Sequence, residues 1–101
     1  MTNIERIENM EKILDESLSL IDDMNALSAK LKKHDEKYRE LMEYYYSDER
    51  NKDLEDDENG LLPPDLKRGV LSEDGIWNMI EEYRNAAVEM MDAGLDILKN
   101  N

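Results

Sequence analysis

The stretch Leu61-Leu-Pro-Pro-Asp-Leu-Lys-Arg-Gly-Val-Leu-Ser-Glu-Asp-Gly-Ile-Trp77 decides how this chain folds. It holds both prolines, and three of the four glycines (Gly60, Gly69, Gly75) lie in or beside it. Such residues punctuate a chain, because proline lacks a donor and fixes φ while glycine admits turns. On either side the sequence reads as helix. The segment therefore reverses the chain and lays one helical arm against the other.

Before it, no Gly or Pro interrupts residues 3–46. Thr2 with Glu5 fits a capping box at the start. With Ile7 as heptad position a, the a and d lines carry Ile7, Met10, Leu14, Ile21, Met24 and Leu31. A third line, position g, adds Ile13, Leu20, Leu27 and Leu41. A face three lines wide touches two neighbours rather than one. Residues 32–37 are polar throughout; a helix is expected over the whole arm, with 32–36 as the one place where it could kink or break. His34, the single histidine, reads as a half-exposed member of the g line.

After it, Ile76, Ile80, Tyr83, Ala87, Met90, Gly94 and Ile97 repeat with 4-3 spacing, a heptad over a second arm at 73–99. Ser72 is its expected cap, and small residues at Ala87 and Gly94 leave room for a facing helix. The fold expected is all-α: a single domain over 1–101, two long antiparallel helices joined by an irregular acidic connection at 47–72. In that connection Asp65 is expected to cap a turn through Leu66-Lys67-Arg68, ended by a left-handed Gly69.

At 101 residues with 26 acidic and 13 basic side chains, the net charge is −13. That sign repels phosphate, which argues against nucleic acid and anionic membranes as partners. The absence of cysteine excludes disulfides, thiolate nucleophiles and Cys-ligated zinc. The N-terminal residues do not form a signal peptide and no apolar run spans a membrane, so a cytoplasmic setting is expected.

The acidic run invites a calcium-loop reading. With Gly60 at loop position six, position twelve falls on Leu66 instead of Glu, and two prolines interrupt the loop, so the EF-hand pattern fails. An adventitious cation site among Asp53, Glu55, Asp56, Asp57 and Glu58 remains as the metal candidate, beside the plainer reading of a solvated acidic segment. Lys67-Arg68 is a local basic pair, able to meet an anionic partner, to balance those carboxylates or to stay solvated. Glu81-Glu82 and Glu89-x-x-Asp92 resemble the metal-binding helices of all-α nucleotide pyrophosphatases, yet Asn85 replaces the third carboxylate and both fragments share one helix. No catalytic residue and no cofactor are expected.

Tyr44-Tyr45, Asp56-Asp57-Glu58-x-Gly60 and Leu62-Pro63-x-Asp65-Leu66-Lys67-Arg68-Gly69-Val70-Leu71-Ser72-Glu73-Asp74 give the chain a resemblance to domain of unknown function family 4298, small bacterial proteins without assigned activity. The resemblance covers the whole chain, with LKRGVLSED its specific part. Where that family's pattern often has a tryptophan after the tyrosines, Arg50-Asn51-Lys52 stands here, which implies a looser 47–58.

The expected role is a non-catalytic helical interaction or scaffold protein, with an acidic mimic of nucleic acid and a metal-dependent nucleotide hydrolase as alternatives. The second arm covers only part of the first, leaving Ile4, Ile7, Met10, Ile13, Leu14 and Leu18 as an overhang. A homodimer forming a four-helix bundle would bury it. Tyr44, Tyr45, Tyr46 and Trp77 are expected to cluster at the joint with Val70 and Leu71.

Overall fold

The computed structural model describes residues 2–101. Its elements are three α-helices, α1 (Asn3–Tyr45), α2 (Asp48–Glu58) and α3 (Gly75–Lys99), with a short 3-10 turn at Gly69–Leu71 before α3. No strand occurs among the described residues. The chain divides into two compact units, Met1–Leu41 and Met42–Asn101.

In the first unit the described residues from Asn3 onward are all helical. The Glu5 N–H donates to Thr2 Oγ1 at 3.2 Å, satisfying one of the donors that a helix start leaves open. The helix expected over the whole arm runs without a break through 32–36. Lys, Glu and Arg are good helix formers, and an Asp35–Arg39 ion pair of 2.9 Å spans one turn there. His34 is exposed. None of the described residues of α1 is buried.

In the second unit α1 ends at Tyr45, and Ser47 begins α2 by accepting the Arg50 N–H at 3.3 Å on its hydroxyl. Asp48 and Glu49 occupy the first turn, where the helix dipole favours them. The acidic connection is therefore not irregular throughout: residues 48–58 are helical. Helix α2 stops in a Schellman arrangement, with the Gly60 N–H on Asp57 O (3.1 Å) and the Leu61 N–H on Asp56 O (2.9 Å). Gly60 carries the positive φ of 68° that this ending needs, which is the role expected of Gly69.

Pro63 to Leu66 then form a turn, closed by the Leu66 N–H on Pro63 O at 3.1 Å. This replaces the expected turn capped by Asp65, because Pro64 fixes the φ that the second residue of such a turn adopts. The 3-10 turn packs against both α2 and α3. Helix α3 begins at Gly75 rather than at residue 73, because Ser72 closes the 3-10 turn and caps from three residues upstream. Ile76, 4% exposed, is the buried apolar residue, with Leu54, Leu62, Leu71, Met79 and Ile80 half-buried in the same unit.

Candidate functional site

Two features of the chain carry chemistry: a hydrogen-bonded joint in the second unit and the bare apolar faces of the long helices. The joint is organised by two arginines. Arg50, in the first turn of α2, donates from Nε to Val70 O at 3.0 Å and from a terminal nitrogen to Ser72 O at 3.4 Å. Its guanidinium lies 4.8 Å from the centroid of the Tyr45 ring, within cation–π range. Tyr45 in turn meets Tyr46 edge-on at 4.9 Å between centroids. One side chain thus ties the end of α1, the start of α2 and the entry to α3. In the segment where the missing tryptophan implies a looser chain, residues 48–58 are helical and Arg50 joins their start to Val70 and Ser72.

Arg68 does the equivalent at the far end of α2. A terminal nitrogen donates to the carbonyls of Leu62 and Pro63, and Nε lies 3.1 Å from Asp57 Oδ1 as an ion pair without the alignment of a hydrogen bond. The pair is about one-third exposed on each side, so screening keeps its strength modest. Of the basic pair, Arg68 is turned to the chain's own carboxylate, while Lys67 is exposed.

Between the arginines, Gly69, Ser72 and Gly75 form a hydrogen-bonded knot. The Ser72 hydroxyl donates to Gly69 O at 2.8 Å and accepts the Gly75 N–H at 3.0 Å. The Ser72 N–H also donates to Gly69 O, at 3.3 Å. A Cβ on Gly75 would collide with the Ser72 hydroxyl and with Gly69 O, so only glycine fits that position.

The acidic candidates do not converge. Asp53 accepts the Tyr44 hydroxyl at 2.7 Å, and that hydrogen bond, followed by burial and the nearby Asp53 charge, raises the Tyr44 phenol above its ordinary value of 10.0. Asp57 is held by Arg68, Asp56 is half-buried, and Glu55 and Glu58 are exposed on α2. Among the described residues no three acidic or histidine side chains are grouped to hold a metal ion. Glu81, Glu82, Glu89 and Asp92 all stand exposed along α3.

The expected aromatic cluster is only partly present. Trp77 is 53% exposed and Tyr46 is exposed, and the joint is held by Arg50 instead of by packed rings. Sequence reasoning missed Arg50, whose partners lie 20 and 22 residues away and are backbone atoms.

The apolar faces are open. Ile4, Ile7, Met10, Ile13, Leu14 and Leu18 are 50–65% exposed, and Leu20, Ile21, Met24 and Leu27 continue the row. On α3, Tyr83, Met90, Leu95 and Ile97 are likewise exposed. Among the described residues no helix is long and apolar enough to cross a membrane.

The family described as a domain of unknown function (DUF4298) matches residues 7–93 of the chain. No curated protein and no solved structure matches.

Proposed function

We propose that this chain, which belongs to the DUF4298 family of domains of unknown function, is a non-catalytic helical interaction protein that works as a homodimer. The observation that carries this reading is the row of exposed Ile, Met and Leu side chains along α1. Burial of each such side chain is worth about 1.5–3 kcal/mol, so ten in water are a large liability for a chain that keeps them bare. In the proposed assembly α1 and α3 of each copy form an antiparallel hairpin, and two hairpins close a four-helix bundle. Helix α3, at 25 residues against 43 for α1, covers only part of its own α1. The overhang at Ile4, Ile7, Met10, Ile13, Leu14 and Leu18 then falls to the second copy.

Light scattering at micromolar concentration tests this. A dimer mass is expected, falling to monomer with Ile7→Asp and Leu14→Asp. A wild-type monomer mass at full helicity sinks the reading. The seven carboxylates that α2 sets out on one short helix support a second reading, acidic mimicry of nucleic acid. Recovery of a basic nucleic-acid-binding protein in a salt-sensitive complex would favour it. Magnesium-dependent hydrolysis across a nucleotide panel would instead bring the hydrolase alternative forward.

A further inference from the structure

Helix α1 is also polarised in charge along its length. Residues 3–24 carry seven carboxylates against Arg6 and Lys12. Residues 30–39 carry Lys30, Lys32, Lys33, Lys37 and Arg39 against Asp35 and Glu36. Both segments lie on one uninterrupted helix in one compact unit. Their centres are some 20 residues apart, or roughly 30 Å at 1.5 Å per residue, against a screening length of about 8–10 Å. The two ends of the helix therefore cannot neutralise each other within one copy. The Arg39–Asp35 pair, 74% and 53% exposed, is a local contact that leaves the lysines available.

We infer that the occupant of the exposed apolar face of α1 is the α1 helix of a second copy, lying antiparallel along its full length, with the basic segment 30–39 of each copy against the acidic segment 3–24 of the other. This rests on the homodimer reading above and fixes its geometry. A parallel pair would set acid beside acid and base beside base. Overlap of the two N-terminal overhangs alone would do the same with the acidic ends. Like charges across such an interface are unfavourable, and opposite charges set the register and direction of paired helices. Only the full-length antiparallel arrangement opposes the two signs at both ends. Its two-fold axis passes beside Met24 and Asn25, the middle of α1, so that Glu11 of one copy faces Arg39 of the other on the flank of the seam. The width of the apolar face then has a use: one side meets the second α1 and the other side meets α3.

The full chain has no cysteine, so one introduced thiol is unique. Glu11→Cys and Arg39→Cys, both exposed positions, are refolded separately and as a mixture, checked for helicity, and treated with a short bis-maleimide. Covalent dimers are expected from the mixture and not from Glu11→Cys alone. Linkage of Glu11→Cys to itself, or no linkage in any sample, overturns the antiparallel arrangement while a dimer mass by light scattering leaves the homodimer standing. A monomer mass removes both. As an independent readout, Lys32→Glu, Lys37→Glu and Arg39→Glu together, all on the flanks of the apolar face, should weaken dimerisation by about tenfold or more. Glu11→Lys and Glu16→Lys, on the same flanks, added to that variant should restore it, and failure of the second set to restore it also overturns the arrangement.

Discussion

Gly75→Ala is the sharpest test of the joint. The added methyl would run into the Ser72 hydroxyl and the Gly69 carbonyl oxygen, and both are fixed by hydrogen bonds rather than hanging on a flexible side chain. Relief requires the knot to open. Forcing a carbon into a filled space costs about 1–3 kcal/mol. Losing the Ser72 bond to the Gly75 N–H adds about 1 kcal/mol. A total of about 2–4 kcal/mol corresponds to a fall in melting temperature of roughly 10–30 °C for a protein of this size. Thermal unfolding followed by far-ultraviolet circular dichroism reads this directly. Two other glycines serve as controls. Gly69→Ala meets nothing within 4 Å and has no positive φ, so its cost should stay below about 0.5 kcal/mol, with a small gain in stability equally consistent. Gly60→Ala also finds open space, but its φ of 68° costs roughly 1–2 kcal/mol. The predicted order of damage is therefore Gly75, then Gly60, then Gly69. A Gly75→Ala protein that melts with the wild type would refute the knot.

Arg50→Lys should destabilise nearly as much as Arg50→Ala, by about 1–2 kcal/mol in denaturant titration, because an ammonium cannot reach two carbonyls and stack on Tyr45 at once; full rescue by Lys would contradict this. The Tyr44 phenol titrates above its ordinary value in the fold, so its contribution to stability is present below pH 10 and is lost as pH rises through the folded pKa. Spectrophotometric titration should show a late-titrating phenol component that is lost in Tyr44→Phe, and a variant whose titration curve matches the wild type would rule that assignment out. Calorimetric titration with calcium or magnesium should give no sub-micromolar isotherm, because Asp53 and Asp57 are already engaged. A saturable one abolished by Asp56→Asn and Asp57→Asn would reverse that.

The long helices were legible because their signals are periodic and local. Residues 3–46 lack Gly and Pro, and the 4-3 repeat of Ile76 through Ile97 is a helix signal at any distance from tertiary context. Helix α2 was not legible by the same route, since Leu54 is the one aliphatic residue in it and no periodic face can be read. Its punctuation was present nonetheless: Ser47, Asp48 and Glu49 at the start, Asn59 and Gly60 at the end. The polar stretch 32–36 stays helical because absence of apolar residues removes a packing face, not helix propensity. Gly60 rather than Gly69 takes the left-handed position because which glycine ends a helix depends on where that helix lies, and the acidic run before Gly60 reads equally as a loop or a short helix. Arg68 could be guessed from charge beside Asp57. Arg50 could not, since its partners are the carbonyls of Val70 and Ser72, which carry no side-chain signature.

Because α1 buries none of its described residues within the chain, its helical order has little to draw on except its own backbone bonds and whatever docks along it. In the homodimer proposed above, association and helix formation become one equilibrium under mass action. For such a protein dilution acts as a denaturant: each tenfold drop in concentration below the dissociation constant removes about 1.4 kcal/mol from the assembled state. Helix content measured at low concentration should fall short of that measured at high concentration. The loss should appear in residues 3–41 before it reaches the arginine-tied joint, which makes its contacts inside one chain.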